Sequence, residues 1–147
     1  MMIKRWNVDV ILSKLQNMTK YIGLLRSHAE CDPEIYVKSL EKQAIVERSF
    51  HMLVEFASDL NAYFLLHSGY PPPENYPTSF LEVQKLGIIP KDLAQELATA
   101  AKLRNRLVHL YDEFDPGIVL QKIPKAIAEF TRYVEHILLY LDRDHAT

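Results

Sequence analysis

The run Leu103-Arg104-Asn105-Arg106-Leu107-Val108-His109-Leu110-Tyr111-Asp112 gathers two guanidinium groups, an amide, an imidazole and a phenol into one short stretch. Until then the segment is apolar on one helical face, through Leu93, Leu97, Ala100 and Leu107, and Arg104 falls on that same face. Asn105 and His109 are four apart, so on a helix they share a face and the amide can orient the ring. A histidine that titrates near neutrality can take the proton from a ribose 2′-hydroxyl or give one to a leaving 5′-oxygen, and an arginine stabilises charge developing on the phosphate. Such a set suits RNA cleavage without a metal. Arg104 and His109 lie about 140° apart on an ideal helix, so convergence on one substrate needs a frayed helix end or a second copy of the motif across a two-fold axis. The same residues have a purely structural account as well. Arg104 can lay its stem over the core or pair with an acid on a central helix, and His109 can sit at a helix C-terminus, where the dipole favours it. Lys102 reads as solvated surface charge, and Tyr111 by itself indicates nothing.

Other chemistries lack their residues. The glycines at 23, 69, 87 and 117 are too scattered for a phosphate-binding loop or a dinucleotide fingerprint. The histidines at 28, 51, 67, 109, 136 and 145 include no pair three or four apart, so a helical metal site is not expected. No Gly-x-Ser-x-Gly nominates a nucleophile. Cys31 stands alone and can form no internal disulfide, which fits a reducing compartment. The start of the chain lacks the apolar run of a signal peptide, and Ile137 to Leu141 is far too short to span a bilayer, so a cytoplasmic protein is expected. Seventeen basic against nineteen acidic residues, a net charge of −2, exclude a protein that grips nucleic acid by bulk charge; any RNA contact must come from a local patch.

The elements that must position these residues are helical throughout. Ile11, Leu15, Met18, Ile22 and Leu25 follow helical spacing and predict a first amphipathic helix, interrupted at Cys31-Asp32-Pro33, where Asp32 can cap the next helix. One longer central helix is expected from there, its stripe running Val46, Phe50, Leu53, Ala57, Leu60 and Phe64, widened by Ile45, Met52, Phe56 and Tyr63. His67 to Thr78, with Gly69 and four prolines, reads as an ordered loop. Ser79 and Glu82 have capping-box spacing, which predicts a short helix over 80–86 closed by a left-handed Gly87. Ile88, Ile89 and Pro90 form an apolar connector to a helix starting at Asp92. A last helical region carries Val119, Ile123, Ile127, Phe130, Val134, Ile137 and Leu141, with a break or kink expected at Pro124. No segment alternates with period two. The chain is read as one domain over 1–147, an all-α bundle.

Arg104 to Tyr111 resembles the R-x4-H-x-Y signature of the HEPN superfamily, specifically the HepT-like toxins. Its flanks match too: a prolyl, tyrosine-containing loop from Tyr70 to Pro77, the Phe80-Leu81 and Leu86-Gly87-Ile88-Ile89 segments, and Asp115 with Val119 before the last helix. The similarity covers residues 36–130, and Leu110 departs from it, since many relatives carry a small residue there. The resemblance implies a HEPN-like bundle of up-down helices with a Pro-rich loop, paired as a two-fold homodimer. It implies a metal-independent endoribonuclease toxin of a type VII-like toxin-antitoxin pair, with no cofactor, acting on RNA. Arg104 and His109 would occupy the catalytic positions of a composite cleft, with Asn105 and Arg106 supporting them and holding RNA phosphate. The implied partner is an MntA-like minimal nucleotidyltransferase antitoxin that adenylylates Tyr111. The alternative is a non-catalytic helical module that holds a nucleotide phosphate or a partner protein with the same cluster.

Overall fold

A computed structural model of the chain describes residues 6–109 and 115–146, without the side chains of 107–109 and 144–146. Those residues form six α-helices and no strand: α1 (Val8–His28), α2 (Pro33–Lys38), α3 (Leu40–His67), α4 (Tyr76–Gln84), α5 (Lys91–His109) and α6 (Pro116–Ala146). α1 buries the five residues that its spacing singles out, Ile11, Leu15, Met18, Ile22 and Leu25. It packs against α3, the helix around which the others assemble. All six stripe residues of α3 are buried, and Ile45, Met52, Phe56 and Tyr63 are half-buried at its margins. Trp6 closes one end of this core edge-on against Phe64, at 5.1 Å between ring centroids.

Some local features differ from the sequence expectations and others add to them. The single central helix is in fact two, because α2 stops at Ser39, whose hydroxyl accepts from the Lys42 amide and starts α3 afresh. The buried Gln43 amide makes the break stable by donating back to the α2 carbonyls of Tyr36 and Val37, at 3.0 and 3.1 Å. The short helix after the proline loop begins at Tyr76 rather than 80. Asn75 caps it through the Thr78 amide at 2.8 Å, and Pro77 occupies its first turn. Ser79 is instead drawn into the core, its hydroxyl donating to the Tyr76 carbonyl and accepting from Asn61. Asp115, Pro116 and Gly117 open α6, with Asp115 accepting from the Gly117 amide at 2.8 Å. No break occurs at Pro124. α6 runs through it, and Pro124 lies on the exposed face, where the carbonyl it leaves without an amide donor can turn to water.

α4 and α5 form a close hairpin. Gly87 makes the turn with φ +78°, a left-handed conformation that suits glycine, and buried Ile88 and Ile89 carry the chain into α5. Small buried residues on α5, Ala94, Ala98, Ala100 and Ala101, let it lie close to its neighbours. No described helix is long and apolar enough to cross a membrane.

Candidate functional site

Arg104 stands one turn beyond Ala100, where the apolar stripe of α5 gives way to polar groups. Its guanidinium meets three helices. Nε donates to Nδ1 of His51 on α3 at 2.9 Å, and Nη1 donates to Oδ1 of its neighbour Asn105 at 3.0 Å. The ring of Tyr76, in the first turn of α4, lies 5.1 Å from Cζ, within the range of a cation–π contact. His51 in turn presents Nε2 to Glu55 Oε2 at 3.2 Å, one turn further along α3. Burial is the main influence that lowers the His51 pKa below the usual histidine value; Arg104 and Arg48 act in the same direction and Glu55 against it.

Tyr76 is itself anchored from the core. The Tyr133 hydroxyl on α6 donates to Asn61 Oδ1 at 2.7 Å, with the Ala57 carbonyl 3.0 Å away; Asn61 Nδ2 donates to Ser79 Oγ at 3.0 Å; Ser79 Oγ donates to the Tyr76 carbonyl at 2.7 Å. A buried polar chain therefore runs from α6 through α3 to the residue that faces Arg104. Burial raises the Tyr133 pKa well above the ordinary phenol value, so its proton stays in place to donate.

The structure brings some of the sequence-predicted site residues together and leaves others apart. Arg104 and Asn105 are in contact, the amide oxygen of Asn105 being directed to Arg104. Arg106 is exposed. His109 ends α5, but its side chain, like that of Leu107, lies outside the described residues, as do Leu110 and Tyr111 entirely. The acid on the central helix that could have paired with Arg104 proves to be a histidine, with Glu55 behind it. Sequence reasoning misses His51, Glu55 and Tyr76. The four-residue spacing of His51 and Glu55 is the available signal for that pair, whereas nothing in the sequence couples His51 to a residue so far along the chain. Among the described residues no group of three or more His, Cys, Asp or Glu side chains is placed to hold a metal ion.

The family model described as ribonuclease HepT-like matches residues 18–137. The chain belongs to this family. It is 33% identical to the tRNA nuclease HepT of Aphanizomenon flos-aquae over 136 residues, covering 90% of each chain. Among solved structures, it is similar to the tri-AMPylated HEPN toxin of Shewanella oneidensis in complex with an MNT antitoxin, with a TM-score of 0.80, 20% identity and coverage of 89% of this chain and 98% of the other. The cytosolic protein YutE of Bacillus subtilis superposes with a TM-score of 0.81 at 18% identity, over 97% of this chain and 95% of that one. The HEPN fold expected from the signature is thus the fold of this HepT-like chain.

Proposed function

We propose that this HepT-like chain is an endoribonuclease toxin that cleaves RNA as a homodimer without a metal, and that an MntA-like nucleotidyltransferase silences it by adenylylating Tyr111. The observation that carries the proposal is the condition of Arg104. Its guanidinium is fixed by His51, Asn105 and Tyr76, yet no carboxylate lies directly against it among the described residues. A cation held in place with no carboxylate against it among the described residues is suited to an external anion, and an RNA phosphate fits its fork. Arg106 would add a second positive group at the same end of α5. His109, from the same or the partner copy, would take the 2′-hydroxyl proton as that oxygen bonds to phosphorus and the P–O5′ bond breaks. A histidine returns a proton to the 5′-oxygen, giving a 2′,3′-cyclic phosphate and a 5′-hydroxyl. Transfer of AMP from ATP to the Tyr111 oxygen would release pyrophosphate and place phosphodiester charge two residues from His109, where it repels RNA.

Incubation of the purified chain with cellular RNA in EDTA tests this. Products with 2′,3′-cyclic phosphate ends are expected, and His109→Ala should slow their formation by about 10²–10⁴-fold. Products ending in a 3′-hydroxyl, or cleavage that EDTA abolishes, would contradict the metal-free route. Light scattering should give about twice the 17.1 kDa chain mass.

A further inference from the structure

The Arg104 cluster contains an imidazole that the chemistry above does not use. His51 is held from both ring nitrogens, and its partners differ in kind. Nδ1 faces Nε of Arg104 at 2.9 Å; a guanidinium offers only donors, so Nδ1 must accept. Nε2 faces a carboxylate oxygen of Glu55 at 3.2 Å, which only accepts when ionised, so Nε2 carries the proton. The neutral Nε2–H tautomer satisfies both contacts at once. Arg104 Nη2, 3.4 Å from Nε2, then touches a nitrogen that already bears hydrogen, so that approach is packing. A second proton, on Nδ1, would turn two donors and two positive charges against each other. The charged groups facing His51 are Glu55 and Arg48 on its own helix and Arg104 on α5, with the Tyr76 ring of α4 against the guanidinium. Two of these three charges disfavour the protonated ring, as does burial.

We propose that His51 is a positioning residue for Arg104: its Nδ1 lone pair, kept available by Glu55, fixes the Nε end of the guanidinium so that the Nη edge meets RNA phosphate, and protonation of the ring releases it. This rests on the assignment of Arg104 to RNA phosphate. It deepens that assignment by adding a residue outside the signature and a dependence on pH. At pH above the His51 pKa the guanidinium is held. As pH falls through that pKa the hold is lost, so kcat/KM should fall more steeply on the acid side than loss of the His109 base alone would make it.

The test compares wild type, His51→Leu and His51→Asn in RNA cleavage across pH, beside Arg104→Ala. Asn places an oxygen near the Nδ1 position and does not titrate. His51→Leu should lose up to about 100-fold in kcat/KM, as expected for a misplaced catalytic group, with helical content unchanged. His51→Asn should recover most of that loss and show the shallower acid limb of a single histidine. A His51→Leu protein as active as wild type at every pH, or a His51→Asn protein as impaired as His51→Leu, would overturn the proposal. Imidazole nitrogen NMR separates the two claims. With or without ribonuclease activity, His51 should take up its proton at higher pH in Arg104→Ala than in wild type, and an unchanged titration would show that Arg104 does not engage the ring. Absence of RNA cleavage by the wild-type chain, with that shift present, would count against the ribonuclease assignment and leave the hold intact.

Discussion

α3 carries two polar clusters, roughly three turns apart, that resolve the same physical problem in opposite ways. Around Asn61 every group is deeply buried: Tyr133 and Asn61 are fully enclosed, and their hydrogen bonds run donor to acceptor until they end on a backbone carbonyl. Around His51 the side chains are partly open, 24% exposed for His51 and 39% for Glu55, and the guanidinium at the centre has more N–H groups than the bonds it makes to His51 and Asn105 among the described residues. A closed network holds helices in register, whereas an open one keeps donors for a ligand that arrives later. The two are joined, since the first ends on the backbone of Tyr76 and the ring of Tyr76 supports Arg104. The buried chain thus ends on the residue whose ring supports Arg104.

If that contrast is correct, substitution in the closed cluster should act on stability. Asn61→Leu leaves the Tyr133 hydroxyl with only the Ala57 carbonyl and removes the donor to Ser79, so a loss of about 1–3 kcal/mol is expected in denaturant unfolding, without a change in the pH profile of cleavage. A midpoint equal to wild type would show that the buried chain contributes nothing. Glu129 offers a sharper case, because it is a buried carboxyl that is not paired closely: Lys125 Nζ is 3.8 Å away, at the edge of the groove between α5 and α6. Burial, as the largest influence, pushes its pKa up from 4.5 to about 7. A carboxyl with a raised folded-state pKa supports stability below 4.5 and loses that support as pH rises to about 7. Glu129→Gln should therefore be more stable than wild type at pH 8, on the order of 1–3 kcal/mol, with the gain vanishing below pH 4.5. Thermal melts at the two pH values check the sign. The smallest effect is expected at the joint between the clusters. Tyr76→Leu removes the ring from Arg104 at a cost of about 1 kcal/mol, which should appear as a few-fold rise in KM for RNA with little change in melting temperature.

How far the sequence reveals this arrangement depends on whether a residue answers to its own helix or to a distant one. The buried faces of α1, α3, α5 and α6 follow from spacing alone, as Ile11 to Leu25 and Val46 to Phe64 show. Ser39 is not legible as a boundary, because the break between α2 and α3 depends on Gln43 satisfying carbonyls behind it. Ser79 has the spacing of a helix cap, but Asn61 and the Tyr76 carbonyl claim its hydroxyl, leaving the cap to Asn75. The candidate site divides in the same way. Arg104 stands out as a polar residue in an apolar stripe and Asn105 by its four-residue spacing to His109, while His51 and Tyr76 acquire their roles only when α3 and α4 pack against α5.

The central claim is that Arg104 is held in place for an external phosphate and is not a structural cation. It is tested most directly by measuring RNA cleavage and thermal midpoint on the same preparations of wild type and Arg104→Lys. Lysine keeps the charge but cannot bond His51 and a phosphate through one planar fork. The expected result is a midpoint close to wild type with cleavage reduced about 10²–10³-fold, the scale of losing a positioned donor in the transition state. A lowered midpoint with cleavage retained would make Arg104 a packing residue and contradict the account.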